Sequence, residues 1–281
     1  MRIGLAYDMA RFEEKALIQA ARGLGHDVSP IYVKNAEFTI TNPPRPDMDF
    51  VVQRCVSYYR AYGSTIALER MGLRVVNNLQ VLRDCADKLI TTSKLSSAGV
   101  PVPETAMAFN RETALRLARR MGFPVVVKPI QGSWGRMVAR AVDEQTFQDI
   151  IELRENMPNP QLKIHYIQEH VEKPGRDIRV FYVWGEVPVA IYRVSRQWKT
   201  NTALGGRAEP CPITDELREI TVRAGLAVGD GVLGIDILES NDRGLLVNEV
   251  NAVIEFKNTV LSTGYDLPTK IIEETVRVFK R

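Results

Sequence analysis

The 281-residue sequence is short of several things, and each shortage excludes something. Its three cysteines, Cys55, Cys85 and Cys211, lie far apart and lack the paired spacing of a zinc site or a disulfide framework. Reduced thiols in a cytoplasmic protein are the simplest reading. The three histidines, His26, His165 and His170, make no recognisable metal set. No apolar run approaches a membrane span, and the N-terminus MRIGLAYDMARFEEK has no signal-type apolar core. The first strand-like segment is not followed by G-x-G-x-x-G, which argues against a dinucleotide site there. Low-complexity tracts and tandem repeats are missing too. A net charge of +3 permits an acidic partner or a phosphate ligand. No basic stripe with interleaved aromatics points to nucleic acid.

What is present is alternation of strand and helix patterns. MRIGLAYD, HDVSPIYV, DFVVQRCV and RVVN read as strands, with helices at RFEEKALIQAARGLG and RAYGSTIALERMGL between them. This predicts an open α/β domain over residues 1–85. A helix stopped by Gly and Pro follows at DKLITTSKLSSAGVPVPET, then a helix at RETALRLARRMG and the strand FPVVVKPI. QGSWGR is a glycine loop, MVARAV resumes as strand, and DEQTFQDIIEL is helical. From Tyr166 the pattern turns to β, with a hairpin at WGE, a capped helix at TDELREITVRAGLAVGDG and a closing helix over 268–280. Two α+β lobes, 86–166 and 167–281, are therefore expected after the first domain.

The segment GLLVNEVNAVIEFKN (244–258) carries the first chemical signal. Strand alternation puts Glu249 and Asn251 on one face. VLGIDILE, with Asp236 in its middle, precedes it across the polar turn SNDRG. A four-residue loop at Asn241–Gly244 would set Ser240 opposite Leu245 and, in the same register, Asp236 opposite Glu249. Three hard oxygen donors on one face suit Mg²⁺. An edge hairpin with its acids in solvent is the alternative.

Lys128 stands in an otherwise apolar strand, where an unpaired lysine is costly, unless it merely snorkels at the strand end. QGSWGR after it supplies glycines, a serine and an arginine, a set able to close over phosphates. The loop joins strand to strand and so is not a Walker A loop. QEHVEKPGRDIR (168–179) offers backbone groups for a purine and carboxylates at Glu169 and Asp177. Arg193, just after an apolar strand, and Arg196 could hold carboxylates, and Asn201 and the glycine pair 205–206 sit in a loop long enough to close over a substrate. Phosphate donors in mid-chain and a magnesium face near the end are the apparatus of ATP chemistry.

The ordered set DK (87–88), VVVKP (125–129), GSWGR (132–136), QEHVEKPGRDIRV (168–180), NTALGG (201–206), GIDILES (234–240) and NEVN (248–251) resembles the RimK-like ATP-grasp ligases over residues 86–281. Within them it is most similar to the branch that joins 2-aminoadipate to LysW, a small acidic carrier protein, in lysine biosynthesis. The resemblance implies that Lys88 and Lys128 bind ATP phosphates under a mobile loop of Gly132, Ser133, Trp134, Gly135 and Arg136. It places Gln168, Glu169 and Val171 on adenine, Asp177 on ribose, and Mg²⁺ on Asp236, Glu249 and Asn251. Arg193 and Asn201 take catalytic roles at the acyl phosphate, with Asn201 also near the nucleotide. Thr202 and Ala203 contact substrate, and Glu255, Phe256, Lys257, Asn258 and Thr259 face the amino acid. Asn258–Thr259 resembles the aminoadipate-using type; the sister type, which ligates glutamate, carries Gly and Phe there. Ala252, Val253 and Ile254 depart from the polar residues expected nearby, which leaves glutamate open as a second substrate. Relatives of this kind commonly form homo-oligomers. A RimK-type protein glutamate ligase would share the ATP residues, but EFKNT and the mild charge speak against it.

Overall fold

The computed structural model describes residues 1–132, 134–200 and 206–280. Three sheets order the chain. The first is parallel and runs β2 (Asp27–Tyr32), β1 (Arg2–Tyr7), β3 (Phe50–Gln53), β4 (Arg74–Val76). Alternation in RIGLAY sends Ile3 and Leu5 to one side and Ala6 to the other. The first side packs on α1 (Phe12–Gly23), the second on α2 (Tyr58–Arg70). α3 (Leu79–Ala86), which the sequence patterns did not reveal, and α4 (Lys88–Ser97) lead onward. Asn78 caps α3 through Val81 N, and Asp87 caps α4 through Leu89 N and Ile90 N.

The second sheet is antiparallel, in the order β5 (Thr105–Ala108), β8 (His165–Glu169), β6 (Val125–Lys128), β7 (Ala139–Ala141). α5 (Arg111–Met121) and α6 (Glu144–Glu155) cover one face around the buried Phe147. The expected lobe boundary at 166/167 falls inside β8. That strand pairs with β5 and β6, so the central sheet continues to Glu169.

The third sheet is antiparallel: β11 (Arg207–Cys211), β10 (Ala190–Val194), β9 (Arg176–Val183), β12 (Val232–Ser240), β13 (Gly244–Asn251). Ile178, Val180 and Tyr182 of β9 face α7 (Asp215–Val228), as do Leu233, Ile235 and Ile237 of β12. Phe181, Val183 and Val232 face the opposite way and join the core under α1 and α9 (Leu267–Phe279). Period two therefore puts Asp177 and Arg179 of β9, and Asp236 of β12, on the face away from α7. A short helix, α8 (Lys257–Thr263), follows β13.

The β12–β13 hairpin differs from the expected register near its turn. Ser240 pairs with Gly244 and Glu239 with Leu245, one residue tighter than expected. A bulge between Asp236 and Ile237 then restores the register, and Asp236 does lie opposite Glu249. The extra residue is Asn248. Val247 and Val250 both enter the α7 core, so the bulge lets Asn248 and Glu249, neighbours in sequence, both face the cleft.

Candidate functional site

Two cavities meet between the sheets. The first, of about 850 Å³, is bounded by the second and third sheets and the glycine loop. The second, of about 1550 Å³, lies between the third sheet, α2 and α3. Gly132, Asp236 and Glu249 line both.

Lys128 ends β6 inside the first cavity and is buried. Its Nζ donates to Gln168 Oε1 at 2.5 Å and to Asn248 Oδ1 at 2.8 Å. Burial pulls its pKa down to about 8, against the raising effect of Glu249. Among the described residues it has neutral partners and no carboxylate in direct contact, which is the condition of a cation kept for an anionic ligand. Lys88 begins α4; its Nζ donates to Gly132 O at 3.0 Å and to Glu249 Oε1 at 3.2 Å. Arg136, Lys173, Arg193 and Lys199 bring the cations lining this cavity to six, against four carboxylates, Glu169, Asp177, Asp236 and Glu249. The excess positive charge suits a polyphosphate, and Val126, Val138, Val171 and Leu238 give it apolar wall for a base.

Asp236 is buried and shared. Arg179 holds it through Nε and, at 3.0 Å, through Nη2; Arg193 Nη2 reaches Oδ2 at 3.0 Å. Burial alone would raise its pKa, but the two guanidiniums hold it below the usual carboxylate range. Arg193 also donates through Nε to Asp177 Oδ1 at 2.6 Å. Burial opposes its charge, yet Asp236 and Asp177 keep its pKa raised. Asp177, expected on ribose, lines the first cavity with both oxygens engaged, the second by Thr200 and Lys173. It anchors cations of its own chain.

Asp236 and Glu249 stand opposite each other at the seam of the cavities, and Asn251, two residues on along β13, lines the second; all three are oxygen donors. That is hard-cation chemistry, and the residue types fit Mg²⁺, which would share Asp236 with Arg179 and Arg193.

The other expected residues divide. Gly132, Gly135, Arg136, Gln168, Glu169 and Val171 line the first cavity. Trp134 instead lines the second, where its Nε1 donates to Glu255 Oε2 at 3.4 Å and its ring lies 4.7 Å under the Arg136 guanidinium. Glu169 also ties lobes together, accepting from Glu104 N at 2.6 Å and pairing with Arg243 at 2.8 Å. Ser133, Asn201, Thr202 and Ala203 lie outside the described residues.

The segment expected to face the amino acid is corrected in part. Glu255 lines the second cavity. Phe256 does not: it is buried in the core against Phe12, with ring centroids 6.3 Å apart. Thr259 is buried within α8, and Lys257 and Asn258 are exposed outside both cavities. The physical reason is a cap. Glu13 Oε1 accepts from Phe256 N at 3.1 Å and Lys257 N at 3.0 Å, so the first domain closes the N-terminus of α8.

Sequence reasoning passed over Arg179, Arg11 and Tyr58. Arg179 had a signal, since it stands two residues after Asp177 on one strand. Arg11 and Tyr58 had none, because their partners at the second cavity come from a remote part of the chain.

A family model of RimK-like ATP-grasp domains matches residues 85–275, and one of LysX preATP-grasp domains matches residues 3–83. The alpha-aminoadipate–LysW ligase LysX of Sulfurisphaera tokodaii is 44% identical, covering 100% of both chains. The enzyme of the same name from Saccharolobus solfataricus is 41% identical over 97% of this chain and 100% of its own. The glutamate–LysW ligase ArgX of Sulfurisphaera tokodaii is 36% identical over 97% of each. Among solved structures, a RimK domain ATP-grasp protein from Sphaerobacter thermophilus superposes with a TM-score of 0.80 at 22% identity, covering 97% of this chain and 98% of that one, a likeness of fold. The cation-rich cavity, the acid pair at its seam and these full-length matches converge: the chain belongs to the RimK-like ATP-grasp family.

Proposed function

We propose that the protein is an ATP-dependent carboxylate–amine ligase that joins 2-aminoadipate to the C-terminal glutamate of a small acidic LysW-type carrier. One observation carries this reading: a cation-rich cavity and a second, larger chamber meet at Gly132, Asp236 and Glu249. A nucleotide in the first and an amino acid in the second would react at that seam. The relatives named LysX support the choice of substrate and carrier.

In the first half-reaction the carrier's side-chain carboxylate attacks the γ-phosphorus of ATP, releasing ADP and leaving an acyl phosphate. Lys88 and Lys128 bind the phosphates and offset their charge as it shifts to the leaving ADP. Bound at Asp236, Glu249 and Asn251, Mg²⁺ would supply charge neutralisation at the phosphate oxygens. In the second half-reaction the α-amine attacks the acyl carbon. Phosphate leaves, the amine gives up a proton, and an amide remains. Arg193, held between Asp236 and Asp177, is fixed in place to stabilise the oxyanion.

The second chamber bears on the choice between aminoadipate and glutamate. Val56, Leu82, Ala252 and Val253 give it an apolar wall. That wall favours the longer side chain, although one methylene discriminates by only about 1–3 kcal/mol. The test is ADP release with Mg·ATP and purified carrier, with 2-aminoadipate or glutamate supplied separately, and mass spectrometry of the carrier. A mass gain with aminoadipate is expected. Gain with both would establish dual use, and gain with neither would overturn the carrier assignment.

A further inference from the structure

The second chamber is lined by two guanidiniums, and their partners differ in kind. Arg179 is spoken for at the seam, where it clasps Asp236. Arg11 comes from the first domain, just ahead of α1. Its Nε and Nη2 bind Glu14 at 3.2 and 2.9 Å, and its Nη1 binds Glu255 Oε1 at 2.9 Å. Glu14 is immobile: it is buried and also held by Arg54. Glu255 is not. Its side chain is 46% exposed, and its second oxygen accepts only the long bond from Trp134 Nε1 at 3.4 Å. The chamber therefore presents an arginine with one fixed and one exchangeable carboxylate.

An α-amino acid carries an ammonium and a carboxylate on one carbon. Its complement is an acid and a base side by side, able to trade partners without stranding a charge. Arg11–Glu255 is such a pair. The carboxylates at the seam do not qualify: Asp236 is already clasped by two arginines, and Glu249 faces the phosphate lysine Lys88.

We propose that Arg11 and Glu255 recognise the charged head of the acceptor amino acid, Arg11 binding the α-carboxylate and Glu255 the α-ammonium before it is deprotonated for attack. This rests on the ligase reading above and adds to it a substrate-binding residue from the first domain. Entry of the substrate carboxylate displaces Glu255 from Arg11 Nη1, and the displaced carboxylate turns to the ammonium.

The experiment uses the full-length protein with Mg·ATP and carrier, varying 2-aminoadipate. Glu255→Gln and Arg11→Met should each raise the KM for the amino acid about tenfold or more, as expected for losing a charge-assisted bond, with KM for ATP unchanged. A purely structural role would move both constants together. Arg11 also supports the first turn of α1 through Glu14, so Arg11→Met can fail by misfolding; Glu255→Gln, at a half-exposed side chain, keeps the test open. Calorimetric titration of 2-aminoadipate into protein with Mg·ADP reads the same pair without turnover. Loss of that binding in Glu255→Gln supports the site even where the wild type loads no carrier, a result that would sink only the ligase reading. Wild-type binding or an unchanged amino-acid KM in Glu255→Gln overturns the proposal.

Discussion

Asp236 meets two guanidiniums inside the cleft, so replacing its carboxylate does two things at once. It removes a donor from the proposed metal set, and it leaves Arg179 without its clasp while Asp177 still holds Arg193. Asp236→Asn should lower carrier loading by about a hundredfold or more, as for other lost transition-state charge contacts. It should cost at most about 3 kcal/mol of stability, because a buried partner is lost but not stranded altogether. Carrier mass and urea unfolding check the two parts; near-normal turnover would take Asp236 out of the site. The positions of Asp236, Glu249 and Asn251 were legible because a strand has period two and the acids broke apolar runs. Phe256 and Thr259 misled because nothing in EFKNT announces a helix start, and the Glu13 carboxylate that closes it lies 243 residues away.

At the scale of elements, the bulge in β13 gives Lys128 an anchor in Asn248. Asn248→Ala leaves Lys128 with Gln168 alone, and should weaken binding of a non-hydrolysable ATP analogue about tenfold without altering circular dichroism. Lys128→Met should weaken it further, because the charge itself goes. An unchanged dissociation constant in both would move the phosphates elsewhere. The bulge was not legible from the sequence: the expected turn was one residue too long, and the two deviations cancel at Asp236. A second contact was equally hidden. α7 rests so closely on β9 that a Cβ at Gly225 would lie 2.7 Å from the Tyr182 ring. Gly225→Ala should cost about 1–3 kcal/mol in urea unfolding, the usual range for overpacking. In the sequence this glycine reads only as a weak point in a helix.

At the scale of the whole molecule, a buried charge cluster joins the first domain to the rest. Arg54 reaches Glu14 at 3.2 Å and Ile254 O at 2.7 Å. Burial would raise the Glu14 pKa, but Arg11 and Arg54 hold it below its usual value of 4.5. A carboxylate whose folded pKa is depressed stabilises the fold fully above the unfolded value and loses that contribution as pH falls through the folded one. Urea unfolding of the wild type should therefore weaken steadily below pH 4.5, and Glu14→Gln should show a flatter slope there and a lower stability at pH 7. Equal slopes would place the acid sensitivity in other carboxylates. The alternation of strands and helices that defines the first domain as far as β4 was readable from period and turn residues alone. Its charged seam with the segment after β13 was not, since local pattern carries no record of partners 200 residues apart.

The two chambers also differ in ancestry along the chain. Every residue lining the first comes from Lys88 onward, whereas the second takes Arg11, Cys55, Val56, Tyr58, Tyr59, Ala61, Leu82 and Cys85 from the N-terminal domain. On the proposed reading, variation in those early residues, alongside Ala252 and Val253, would retune which acceptor is admitted without touching the lining of the first cavity.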